Sequence, residues 1–237
     1  MDLVAKMTAL GVGMTQAERA NYKFLLSLAA GGLVVDGQPP SRPGDRLAFT
    51  TAIKSIAQLQ PHRHRVPPNG VVYLGRPAFV SEALLNDLRR ESAELREKAE
   101  RFDDHFVSPG GPIAQEVAFS EQLNDLVSTV ADHVTPTARA NYLYYDRDGL
   151  GIDPHIDNEA FSLNTILMLD HIYTQDPSRL VLYPPDQQPE RILLAPGDLI
   201  VFYADSITHA RERMDKDEVV RIAAFGFHPI VEAEATA

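Results

Sequence analysis

With 237 residues, 44% of them hydrophobic and 23% charged, the chain is long enough to bury a sizeable core and too well balanced for large-scale disorder. Its 33 acidic residues against 22 basic ones, a net charge of −11, set up a field that repels phosphate backbones and argues against a nucleic-acid substrate. Without a cysteine there is neither disulfide nor thiolate ligand, which fits a cytoplasmic location. The N-terminal MDLVAKMTALGVGMTQAERA lacks the apolar core of a signal peptide, and no stretch approaches the roughly 18 apolar residues of a membrane span, so no membrane partner is expected.

In chain order, Thr15 is placed to cap a helix carrying Ala17, Tyr22, Leu25, Leu26 and Leu28, stopped by Gly31 and Gly32. GQPPSRPGDR at 37–46 reads as a loop, and a second helix follows over 47–59. His62, Arg63, His64 and Arg65 form a compact basic cluster in PHRHRVPPNG. A solvated loop is the plain reading, and a contact for an acidic group on a substrate or cosubstrate is the functional one. A short strand over 71–74 precedes a helix capped by Ser81 and reaching about Phe102, because Leu84, Leu88, Leu95, Ala99 and Phe102 share one helical face. On the opposite face Arg90 with Glu94 and Glu97 with Arg101 are spaced for solvated i,i+4 pairs. SPGGP at 108–112 reads as a loop without the Gly-Lys-Ser/Thr of a phosphate cradle. Phe119, Leu123, Leu126, Val127, Val130 and Val134 mark another amphipathic helix, closed by Pro136.

From residue 138 the pattern becomes β. Short apolar or alternating runs at 139–145, 163–169, 180–183, 191–194, 198–203 and 219–227 are separated by turn signals such as Pro184-Pro185 and Pro196-Gly197-Asp198. Strands at that spacing predict a β-sandwich or small barrel.

The stretch NYLYYDRDGLGIDPHIDN, residues 141–158, ends in a His-x-Asp pair, His155 and Asp157. In extended chain, positions two apart project to one side, close enough to share an ion. An imidazole and a carboxylate are two of the three ligands of a 2-His-1-carboxylate site, which leaves the opposite positions of Fe(II) open. His209 follows the apolar run DLIVFYAD after the loop SIT, and Arg221 stands near the start of the next run, VVRIAAFGF.

This order over residues 139–229 resembles the Fe(II)/2-oxoglutarate-dependent dioxygenases, in particular the prolyl-hydroxylase-like members. The resemblance implies an α+β fold: a double-stranded β-helix (jelly-roll) core over 67–237 with flanking helices, preceded by an N-terminal helical extension over 1–66. It implies that His155, Asp157 and His209 hold the iron. It also implies that Arg221, twelve residues after His209, pairs through its planar fork with the 5-carboxylate of 2-oxoglutarate. Tyr145 falls where the family carries a cofactor-facing Tyr, with Leu143 and Asn141 on its face; Tyr142 and Tyr144 take that place if the register slips by one. The chain departs from the family in having PSRL in place of a common Gly-Gly pair. Ala223 stands where Ser or Thr often follows the Arg, so another group would complete 2-oxoglutarate binding.

The implied cofactors are Fe(II), 2-oxoglutarate and O2, with ascorbate as the reductant in vitro. The implied reaction couples oxidative decarboxylation of 2-oxoglutarate to hydroxylation of a small molecule, such as a free amino acid or specialised metabolite. A peptidyl substrate, or a cupin-like metal protein independent of 2-oxoglutarate, are the alternatives. The carboxylate of Asp157 favours hydroxylation, desaturation or demethylation over halogenation. His105, His133, His171 and His228 read as surface or capping residues, although His171 follows a core strand near the ligand end. Arg179, Arg211 and Arg213 read as surface charges, with Arg211 close in sequence to His209.

Overall fold

Alternation of side chains between two faces explains the layered architecture. The computed structural model describes residues 2–35 and 37–230. Its strands are β1 (Val71–Gly75), β2 (Glu100–Phe102), β3 (His105–Pro109), β4 (Val134–Tyr145), β5 (Ile152–His155), β6 (Leu163–Ile172), β7 (Leu180–Tyr183), β8 (Glu190–Ile192), β9 (Leu199–Phe202), β10 (Thr208–Arg211) and β11 (Val219–Pro229). They form a seven-stranded sheet, β1-β9-β6-β11-β4-β3-β2, and a four-stranded sheet, β5-β10-β7-β8. Neighbours pair antiparallel throughout both sheets.

The inner faces pack on one another. Tyr145, Ile166, Met168, Ile200, Phe202, Val220 and Ile222 of the large sheet meet Leu180, Leu182 and Ile192 of the small one. The intervening positions of the large sheet, Tyr142, Tyr144, Leu167, Leu169, Val201, Ala223, Phe225 and Phe227, face outward into a second core. Helices α4 (Glu82–Leu95), α5 (Pro112–Ala118) and α6 (Glu121–Ala131) cover it with Leu85, Leu88, Ala114, Val117, Leu123 and Val127. Val181, Tyr183 and Ala210 face outward from the small sheet. They pack under α2 (Gln16–Gly31) and α3 (Pro43–Gln58) through Leu26, Ala30, Phe49, Ile53 and Ile56. The N-terminal helices are thus a layer on the small sheet, held by their own apolar stripe. Each large side chain in these cores contributes roughly 1.5–3 kcal/mol by burial, and a one-residue slip of a strand would forfeit the whole set. No helix of the described residues is long and apolar enough to cross a membrane.

Several local expectations change. An additional helix, α1 (Leu3–Val12), precedes the one capped by Thr15, whose capping box with Glu18 is present. The helix expected over 47–59 begins at Pro43, a residue suited to the first turn because its missing N–H would find no partner there. The helix expected to reach Phe102 ends at Leu95. The chain tightens through a 3-10 turn at Arg96–Lys98 and enters the β2–β3 hairpin, turning at Asp103 with φ 48. Arg90 consequently pairs with Asp87 and Arg101 with Asp104, rather than with Glu94 and Glu97.

The helix expected from Phe119 runs from Glu121 to Ala131, capped by Ser120, while Phe119 is exposed. Pro136 lies inside β4 opposite Phe227, beside a register shift, the kind of irregularity at which a strand tolerates a residue without an N–H. SPGGP is divided between the end of β3 and the start of α5, whose Ile113 and Ala114 N–H groups are accepted by the buried carboxylate of Glu91. The basic cluster is not uniformly solvated. His62 is buried, stacked on Tyr203 and 3.3 Å from Asp205, and Arg65 donates to the carbonyls of Ala131, His133 and Ile230.

Candidate active site

His155 closes β5 and His209 lies in β10, directly opposite in the antiparallel register, so that their rings approach to 4.4 Å between centroids. Asp157 follows β5, anchored by its N–H to the carbonyl of Ala204. His155 Nε2 is 3.4 Å from Asp157 Oδ1, and His209 Nε2 is 3.7 Å from the same oxygen. One ligand atom from each of the three lies within 4.8 Å of the other two. Donors on adjacent vertices of an octahedron with bonds of about 2.1 Å stand about 3 Å apart, so small side-chain adjustments bring the three onto one ion.

The donor chemistry fits a divalent transition metal. The Nδ1–H of His155 donates to the carbonyl of Asp153 at 2.8 Å, and that of His209 to Ile207 at 3.0 Å, which leaves each Nε2 lone pair facing inward. Asp157 Oδ2 accepts from Asn164 Nδ2 at 2.7 Å, which frees Oδ1. Burial and the neighbouring imidazole of His155 push His209 down to about 4. Burial also disfavours the charged form of His155, but the hydrogen bond and charge of Asp157 outweigh it and raise this group. Burial alone would raise Asp157, yet His209, His155 and Asn164 together hold it below the usual carboxylate range. At neutral pH His209 is therefore a neutral imidazole and Asp157 a carboxylate, while the proton that Asp157 favours on His155 is one that a divalent ion would displace.

The three side chains line a cavity of about 60 Å³ that opens to solvent. Its walls are apolar, with Leu143, Ile166, Met168, Leu180 and Ile222 prominent, and Tyr145, Asn164 and Arg211 also line it. The register placing Tyr145 and Leu143 on the inner face holds, while Tyr142 and Tyr144 turn outward. Asn141 shares the strand with them but does not line the cavity.

Arg221 is not brought to this cavity. Val220 and Ile222 point inward, so Arg221 points outward between them and approaches Asp170 at 3.6 Å. Arg211, expected at the surface, is buried and lines the cavity, because it shares the inner face of β10 with His209. His105 and His171 are buried as well, the first stacked on Tyr145 and the second bonded to Glu218 at 2.7 Å. Asn164 was legible in principle: it precedes the inward Ile166 and Met168 at period two.

No family model and no curated protein sequence matches the chain significantly. Solved structures do. The non-heme alpha-ketoglutarate-dependent epimerase SnoN from nogalamycin biosynthesis superposes with a TM-score of 0.58 at 13% identity, covering 78% of this chain and 91% of SnoN. The fold is the double-stranded β-helix of the Fe(II)/2-oxoglutarate oxygenases. HygX from Streptomyces hygroscopicus, solved with nickel and 2-oxoglutarate, matches with a TM-score of 0.54 at 13% identity, over 70% of this chain and 85% of HygX. A Pseudomonas putida prolyl-4-hydroxylase gives 0.54 at 15% identity, over 68% and 94%. This double-stranded β-helix has its major sheet under α4–α6 and its minor sheet under α1–α3, with the His-Asp-His cluster between the sheets.

Proposed function

We propose that the protein is an Fe(II)- and 2-oxoglutarate-dependent oxygenase acting on a small molecule, with His155, Asp157 and His209 as its iron ligands. The observation that carries this reading is the convergence of these three side chains, each with a donor atom free, in the lining of a largely apolar cavity of the oxygenase fold. Fe(II) held there, with 2-oxoglutarate and O2, supplies oxidative decarboxylation coupled to oxidation of a substrate C–H bond. His155 and His209 present fixed tautomers, Asp157 supplies the one anionic ligand, and Asn164 aims it. With three protein donors, the metal would keep positions for ligands that enter through the cavity. Tyr145 and the apolar wall of Leu143, Ile166, Met168 and Ile222 exclude water from the reacting region.

A small-molecule substrate is supported by the neighbours. SnoN is an epimerase of nogalamycin biosynthesis, and HygX has been solved with hygromycin B bound. Retention of a carboxylate at Asp157 favours hydroxylation, desaturation or another C–H oxidation over halogenation.

The test is succinate release by purified protein with Fe(II), ascorbate, O2 and 2-oxoglutarate, with and without pooled amino acids and metabolites. Succinate above the metal-free background that disappears in His209→Ala is the expected result. Absence of succinate, together with no binding of 2-oxoglutarate by the metal-loaded protein, would overturn the assignment.

A further inference from the structure

A guanidinium inside the cavity, on the strand that carries His209, has a charge that the surrounding protein does not match. Arg211 is 8% exposed, and its Nη2 donates to the carbonyl of Ser178 at 3.1 Å and to Ser178 Oγ at 2.9 Å. Its Nε is buried without a partner, and among the described residues it forms no ion pair. A buried, unpaired cation is costly, so a site that keeps one is built to receive an anion. Arg221, whose Nε is likewise buried without a partner, differs in that it does not line the cavity and faces Asp170, a carboxylate that also pairs with Arg89 at 3.0 Å.

Resting on the oxygenase reading, we propose that Arg211, not Arg221, receives the carboxylate of 2-oxoglutarate remote from the metal, and that Glu218 positions Arg211 through Ser178. A short 2-oxo dicarboxylate has its chelating end and its second carboxylate on opposite ends of a three-carbon chain. The cavity offers the His-Asp-His cluster and a guanidinium as its charged features, among apolar walls that also carry Tyr145 and Asn164. His209 and Arg211 are two apart on one strand, so both point to the same side and the distance between the two anchoring points is set by the strand itself. The guanidinium fork suits a carboxylate in a way a point charge does not.

Glu218 stands behind this anchor. Its Oε1 accepts from Ser178 N at 2.8 Å, Ser178 Oγ at 2.7 Å and His171 Nε2 at 2.7 Å. With the Ser178 hydroxyl donating to Glu218, its oxygen lone pair is directed at Arg211 Nη2. The chain of bonds therefore fixes one edge of the guanidinium and leaves another for ligand. Glu218 is a positioning residue, since it touches Ser178 and His171 and does not line the cavity.

The experiment uses Mn(II), which occupies such a site without turnover. Mn(II) affinity is read by electron paramagnetic resonance, and 2-oxoglutarate binding to the Mn(II)-loaded protein by calorimetry. Arg211→Met should weaken 2-oxoglutarate roughly 100-fold while leaving Mn(II) affinity within about twofold, since it removes the partner of a buried charge and touches no ligand. Arg211→Lys should recover part of the loss, Glu218→Gln should weaken 2-oxoglutarate roughly 10-fold, and Arg221→Met should change neither affinity. Retained Mn(II) binding certifies that each variant is folded at the site. Parent-like 2-oxoglutarate binding in Arg211→Met, or its loss in Arg221→Met, would overturn this assignment alone. A parent protein that binds Mn(II) but not 2-oxoglutarate would instead overturn the oxygenase reading, and this assignment with it.

Discussion

Replacing Asn164 by Ala tests whether the candidate metal centre is aimed by its surroundings or by strand geometry alone. The side chain is 8% exposed, and its Nδ2 donates to Asp157 Oδ2 at 2.7 Å, the carboxylate oxygen that faces away from both histidines. Removing it lets the Asp157 carboxylate rotate and gives up one of the contacts that favour its ionised form, after those of His209 and His155. Loss of a comparable outer hydrogen bond weakens metal binding about 10- to 100-fold, or about 1.4–2.7 kcal/mol. The fold should suffer little, because the truncation leaves no buried backbone donor without a partner, and Asn164 Oδ1 is already unpaired. Mn(II) titration of the variant beside the parent, with circular dichroism to verify folding, measures the effect. Unchanged affinity in folded protein would refute the idea that Asn164 orients the carboxylate.

Metal itself should stabilise the native state: free Mn(II) at one hundred times its Kd adds about 2.7 kcal/mol to the unfolding free energy, and Asp157→Ala should abolish the gain in denaturant titrations. His105 gives a pH dependence of known sign. Burial, then the charge of His155, lowers it from 6.5 to about 4. Between those values the unfolded chain binds more protons, so stability is complete above about pH 6.5 and falls by about 3 kcal/mol as pH drops toward 4. The difference in stability between parent and His105→Phe, followed by urea unfolding across that window, should show this slope, and a flat difference would count against it. Glu91 joins α4 to β4 and to the start of α5, accepting from Ile113 N at 2.7 Å, Ala114 N at 3.0 Å and the Tyr142 hydroxyl at 2.7 Å. Glu91→Ala should destabilise by about 3 kcal/mol or more, whereas Tyr142→Phe should cost about 1 kcal/mol. Similar urea midpoints for the two variants would contradict that ranking.

The helix capped by Thr15, the run of short strands after residue 138 and the trio His155, Asp157 and His209 were all legible in the chain, because caps, alternation and ligand chemistry are local properties. The same held for the inward face of Tyr145, fixed by its parity with Leu143. The resemblance placed Arg221 by its spacing from His209 alone. His209 and Arg221 lie on different strands, and the residues between them reset which face is which, so a spacing of twelve says nothing about direction. Arg211 lies on the strand of His209, where period two guarantees a common face. That relation stayed hidden because β10 is four residues of Thr, His, Ala and Arg, a composition that does not read as a strand until β5 and β7 pair with it on either side. In the same way only the packed structure decided that Phe102 leaves the helix for a hairpin, since the partner strand that draws it out begins beyond the turn at Asp103. Local chemistry named the residues that could bind a metal. The long-range pairing of strands determined which charged side chains share their cavity, because burial depends on what lies opposite and not on what lies next in the chain.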